Sequence, residues 1–113
     1  MFDQLPNIRV GKVPDSTHYC GRSKNYKPEY GIDCSVLSNP FPLYKESDRD
    51  QNIEKYKYYF IHMIQNDVLF RNTIEYIISD IKNGKNVVLG CFCFPKKCHC
   101  DIIKFYIIKR TEK

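Results

Sequence analysis

Residues 91–101 read CFCFPKKCHCD, and this one segment holds four of the chain's six cysteines, one of its three histidines and an aspartate. Thiolates and imidazole are the preferred ligands of zinc, and four of them close a tetrahedral site. Cys91, Cys93, Cys98 and His99 are the natural set. Their spacing fits poorly. Cys91 and Cys93 flank a single Phe, so in an extended strand they share a face about 7 Å apart at Cα. Cys98 and His99 are adjacent, and neighbours on a helix diverge by about 100°. The composition points to a metal; the spacing does not.

The same residues support a second chemistry. An apolar run ends near Cys91, a turn at Pro95 follows, and helical character begins around Cys98. In open α/β sheets, ligands sit beyond the carboxyl ends of strands, where helix N-termini present free N–H groups. Lys96 and Lys97 add positive charge at that place. A thiol at a helix N-terminus is acidified, which makes Cys98 a candidate nucleophile. His99 is then the proton carrier, and Asp101 either orients it or binds a ribose hydroxyl. A structural role is the third alternative. Buried thiols pack as small hydrophobes, and an aspartate in a first helical turn complements the helix dipole.

The elements that must position these groups are legible in the hydrophobic spacing. Ile8-Arg9-Val10 alternates and is stopped by Gly11 and Pro14, which predicts a short strand. Thr17 to Cys20 is a second β-leaning run, ended by Gly21. Residues 21–50 show no sustained period and carry Pro28, Gly31, Pro40 and Pro42. Tyr26, Tyr30, Ile32, Val36, Leu37 and Phe41 make this stretch too apolar for disorder, so a loop packed over the core is expected.

Ile53, Tyr56, Phe60, Ile61 and Ile64 then recur at helical spacing, with Asp48 or Asp50 as the cap. His62 falls on the wet face of that helix. Phe70, Ile74, Ile77, Ile78 and Ile81 predict a second helix, capped by Asp67 and ended by Asn83-Gly84. Val87-Val88-Leu89 reads as a buried, central strand. Residues 101–110 suit a last helix, although their β-branched and aromatic content leaves a strand open. The order β-β-loop-α-α-β-loop-α describes one small α/β domain over residues 1–113, with a short, mostly parallel or mixed sheet and three flanking helices.

Length and composition agree. A chain of 113 residues can bury one core without help from disulfides or metal. The opening MFDQLPNIRVGK lacks a basic start followed by an apolar run, so no signal peptide is expected. No apolar stretch reaches the roughly 20 residues that cross a bilayer, so no membrane association is expected. These features predict a cytoplasmic protein, in the host cell if the chain is viral, whose cysteines stay reduced. A disulfide framework is the lesser alternative. The net charge of +5 favours phosphate-bearing partners without requiring them.

The pattern CxC-P-xx-CH-x-D after an apolar strand, with Gly21-Arg22 and Asn39-Pro40-Phe41 upstream, resembles the phage and bacterial family called domain of unknown function 4326. Glu54-Lys55-Tyr56 stands where that family has a helix. The family usually has Gly in place of Cys100, which argues against Cys100 as a ligand, and the segment between Arg22 and Asn39 is longer here. The resemblance implies an accessory protein and brings no activity with it. It does draw distant residues together, with Arg22 as a fork-shaped cation for phosphate or carboxylate and Asn39 as a hydrogen-bonding group.

The reading that follows is a pocket of Arg22, Asn39, Lys96, Lys97, Cys98, His99 and Asp101 for a nucleotide, a nucleotide-derived molecule or a nucleic-acid end. Hydrolysis or glycosyl transfer is the chemistry expected of such a set. The alternative is a zinc-braced module without catalysis that binds a host protein or nucleic acid and unfolds on chelation.

Overall fold

The computed structural model of the protein describes residues 7–112. Residues 1–6, part of the stretch read above for a leader, and Lys113 lie outside the described residues. The element order is β1 (Ile8–Lys12), β2 (His18–Tyr19), β3 (Ile32–Asp33), α1 (Arg49–Asn66), α2 (Val68–Lys82), β4 (Val87–Cys91) and α3 (His99–Thr111). The strands form one sheet in the order β1-β4-β2-β3, and every pairing is parallel. β4 is interior and wholly buried, as its unbroken apolar run requires.

Period-2 alternation sorts the side chains between the two faces of the sheet. Ile8, Val87, Leu89, Cys91 and Cys20 enter the core, and Val10 packs against it. Tyr56 and Phe60 of α1 and Phe70, Ile74, Ile77, Ile78 and Ile81 of α2 complete this core as their spacing predicts, and Ile103 and Ile107 join from α3. Ile61, expected on the core face of α1, is instead exposed. Asp67 closes α1 and opens α2, its carboxylate accepting the Phe70 N–H at 2.9 Å. Gly84 takes up φ +84° just beyond the end of α2, a conformation that favours glycine.

The opposite face of β4 is covered without a helix. Only residues 13–17 link β1 to β2, and β4 lies between those strands, so this link crosses over β4. Thr17 ties it down, its hydroxyl accepting the Val88 N–H at 2.8 Å and its own N–H reaching Val88 O at 3.0 Å. The crossing requires a glycine beneath it: a Cβ at Gly90 would overlap the Ser16 side chain.

Two expectations are refined. The stretch 21–50 is packed as expected but contains β3 and four 3-10 turns, at Ser23–Asn25, Pro28–Tyr30, Ser35–Leu37 and Glu46–Asp48. A two-residue strand is too short to display a period. The segment after Cys98 is helical rather than extended, so β-branched content was outweighed by packing of Ile103 and Ile107 into the core. No helix among the described residues is long and apolar enough to cross a membrane.

Candidate functional site

β2 and β4 run side by side, Tyr19 level with Gly90, and both end at the same edge of the molecule. The chain leaves β4 at Cys91 and turns through bonds from Phe94 N to Cys91 O at 3.4 Å and from Lys96 N to Cys93 O at 2.8 Å. It re-enters regular structure at Cys98, the N-cap of α3. Cys98 is extended (φ −154°, ψ −179°), and its N–H is held by the Asp101 carboxylate at 3.0 Å. The Cys98 side chain in turn accepts the Asp101 N–H, completing a reciprocal cap.

This cap explains which cysteines meet. The 100° divergence of neighbours holds inside a helix, but Cys98 lies outside it and folds back over its end. The sulfurs of Cys91, Cys98 and Cys100 and a ring nitrogen of His99 therefore all lie within 4.8 Å of one another, and all four residues are buried. Such a cluster could hold a metal ion. Three thiols and an imidazole are an established zinc donor set, and tetrahedral Zn–S bonds of about 2.3 Å place sulfurs about 3.8 Å apart. A modest contraction would be needed.

The expected ligand set thus changes by one member. Cys100, doubted on the family pattern, belongs to the cluster, and Cys93 does not. The strand ends at Cys91, so the shared face assumed for Cys91 and Cys93 is lost. The Cys93 thiol stays beside Cys91 and also meets Arg49, at the edge of the cluster, and its backbone N–H reaches Cys91 Sγ at 3.4 Å.

The thiols do not titrate alike. Hydrogen bonds from Cys100 and Cys91 outweigh burial and hold the Cys98 thiol well below the ordinary thiol range, so Cys98 is the member of the group that loses its proton most readily. Bonds to Cys20, Cys91 and Cys98, with burial, push the Cys100 thiol well up. Burial pushes His99 down to about 4. Its neutral ring has Nε2 at 2.8 Å from the Cys20 carbonyl, which can only accept, so Nε2 carries the proton. The same Nε2 is 3.9 Å from Cys100 Sγ, and a metal bound there would displace the Cys20 bond.

Beside the cluster opens a cavity of about 260 Å³. Cys91, Cys93, Cys98 and His99 form one wall, and Gly21, Arg22 and Asn39 another. Arg49, Asn52 and Ile53 contribute the start of α1, while Phe41, Leu43 and Phe92 supply apolar surface. Among the described residues no carboxylate lines it.

The expected site residues divide accordingly. Arg22, Asn39, Cys98 and His99 come together. Arg22 is exposed, and among the described residues its guanidinium makes one contact, of 3.5 Å to Asn39 O, so it is available. The Asn39 amide is already engaged, accepting the Phe41 N–H at 2.9 Å and donating to Asn52 Oδ1 at 2.7 Å. It shapes the wall by fastening the Asn39-Pro40-Phe41 turn to α1.

Lys96 and Lys97 lie outside this cavity, each 3.4 Å from a carboxylate, of Glu46 and Asp50 respectively. Asp101 is also outside it, and its carboxylate serves the helix cap. Arg49 and Asn52 were not expected, because they begin an amphipathic helix on its polar side and carry no motif. Arg49 is committed to Glu46, with a 3.0 Å contact from NH2, and to Lys97 O at 2.8 Å.

A buried pair stands apart, with His18 Nε2 at 2.8 Å from Asp80 Oδ2 and Lys85 Nζ at 3.4 Å from Asp80 Oδ1. It ties β2 to α2. Burial raises the Asp80 carboxyl, but hydrogen bonds from His18 and Lys85 outweigh it and leave the pKa below its ordinary value.

Residues 6–109 match the family model described as domain of unknown function (DUF4326). The chain belongs to that family. The match takes in all the strands and all but the last two residues of α3, so the DUF4326 unit contains both the cavity and the thiol cluster. No curated protein and no solved structure matches the chain.

Proposed function

We propose that the protein binds a nucleotide or nucleotide-derived ligand in the cavity at the carboxyl ends of β2 and β4. The observation that supports this most is the lining: Arg22 and Arg49 with apolar Phe41, Leu43, Ile53 and Phe92, and no carboxylate. Arg22 is the phosphate anchor, since its fork matches phosphate and has no strong partner of its own. The apolar wall takes the base or sugar face. The position obeys the rule that ligands of open parallel sheets collect beyond the strand ends.

If the ligand is also processed, by hydrolysis or glycosyl transfer, Cys98 and His99 are the reactive groups that reach it, because Asp101 is held in the cap. The family resemblance extends this reading to an accessory protein of phage or bacterial type.

Thermal stabilisation by a panel of mononucleotides and dinucleotides, followed by calorimetry on the best of them, tests the reading. Wild-type protein should be stabilised, and Arg22→Ala should weaken binding by about tenfold or more while leaving the unliganded melting temperature unchanged. No stabilisation by any nucleotide would reject it.

The sulfur and nitrogen atoms of Cys91, Cys98, Cys100 and His99, gathered within 4.8 Å, favour a second reading. In it zinc joins the end of β4 to the start of α3, and the surface binds a host protein or nucleic acid without catalysis.

A further inference from the structure

The cavity does not end at Phe92. Asn25 and Phe92 also line a second, more open depression, whose other walls are Lys24, Tyr26, Lys27 and Tyr30. The two therefore meet at Asn25 and Phe92 and form one continuous strip, from the cavity beside the start of α1 to the side of the sheet that carries no helices. Among the described residues carboxylates line neither depression, whereas Arg22, Arg49, Lys24 and Lys27 do. Among the described residues, neither Lys24 nor Lys27 forms a salt bridge.

The aromatic residues of this strip are held firmly but not covered. Tyr19, fully buried, is the base on which Tyr26, Tyr30 and Phe92 rest, with ring centroids 5.5, 5.7 and 6.1 Å away. Phe92 meets Tyr19 and Tyr30 edge-on, yet 57% of its surface is exposed. A half-uncovered ring, braced edge-on by two tyrosines beside lysines, is poor use of apolar surface for stability alone. It is the arrangement used to stack unpaired bases while cations follow the phosphates.

We infer that the ligand is the end of a single-stranded nucleic acid. The terminal nucleotide occupies the cavity against Arg22, and the strand passes over Phe92 so that its next phosphate meets Lys24 and Lys27. This rests on the nucleotide reading of the cavity and extends it by naming the polymer.

The test is calorimetric titration with 5′-phosphorylated thymidylates of one, two, four and six nucleotides, at two salt concentrations. Affinity should rise by about tenfold or more from one to two nucleotides, level off by four, and fall with salt more steeply for the longer ligands. The double variant Lys24→Ala/Lys27→Ala, altered only at exposed positions of the second depression, should bind every length as weakly as the mononucleotide. Equal affinity at all lengths, an unaffected double variant, or equal binding of the duplexed six-mer would overturn the inference while leaving mononucleotide binding intact. Failure of every length, the mononucleotide included, would remove both this inference and the reading beneath it.

Discussion

Cys91, Cys98 and His99 are where the two candidate chemistries meet, because they belong to the thiol cluster and also line the cavity. Cys93 and Cys100 separate them. Cys100 is fully buried among the cluster sulfurs, whereas Cys93, between Cys91 and Arg49, stands outside the group of four. If zinc is held, protein purified without added metal carries close to one equivalent by elemental analysis. Cys93→Ser should then keep that metal and Cys100→Ser should lose most of it. The reverse pattern would restore the spacing-based set of Cys91, Cys93, Cys98 and His99. Absence of metal in wild-type protein, with reactive thiols, would leave the cavity as the site.

At the scale of elements, the β1–β2 link over β4 is the tightest piece of construction. Gly90→Ala would drive a methyl into Ser16, and neither backbone can retreat from a three-way strand contact. A loss of about 1–3 kcal/mol or more is expected in urea unfolding, typical of overpacking in a close-packed site. The His18–Asp80–Lys85 arrangement fastens the same strand to α2 and should be visible as acid sensitivity. Because the folded Asp80 pKa is below the unfolded value near 3.9, its contribution is complete above that pH and is lost as the pH falls through the folded pKa. Stability measured at pH 7, 5, 4 and 3 should therefore fall over the last steps, and Asp80→Asn should flatten that limb. An unchanged limb in the variant would assign the acid response elsewhere.

For the molecule as a whole, the core decides what metal removal can do. Ile8, Leu37, Tyr56, Phe60, Phe70, Ile74, Leu89, Ile103 and Ile107 form one continuous cluster drawn from both the sheet and the helices. Buried Tyr56 also donates to Leu37 O at 2.6 Å, binding the 35–37 turn to α1. Such a core supports the fold without a metal. If zinc binds, a chelator should lower the melting temperature yet leave the helical circular dichroism signal in place. Complete unfolding on chelation would mean that the β4–α3 corner is required to hold the core together.

The three helices, the buried central strand and the Asp67 cap were written in the sequence, because helical spacing and capping are local properties repeated over ten or more residues. Membership of the Cys/His/Asp motif in a strand-to-helix corner was legible for the same reason. Three things depended on tertiary structure. The exchange of Cys93 for Cys100 follows from where β4 stops and from the extended Cys98 cap, which spacing alone does not specify. The roles of Asn39, Lys96, Lys97 and Asp101 were decided by partners near them in space, several of them far along the chain: Asn52, Glu46, Asp50 and Cys98. The strip from Arg22 across Phe92 to Lys27 was invisible because it joins two loops some 65 residues apart through Tyr19, a contact made only when β2 pairs with β4. Local patterns determine which elements form; which side chains meet at their ends is set by how those elements are paired.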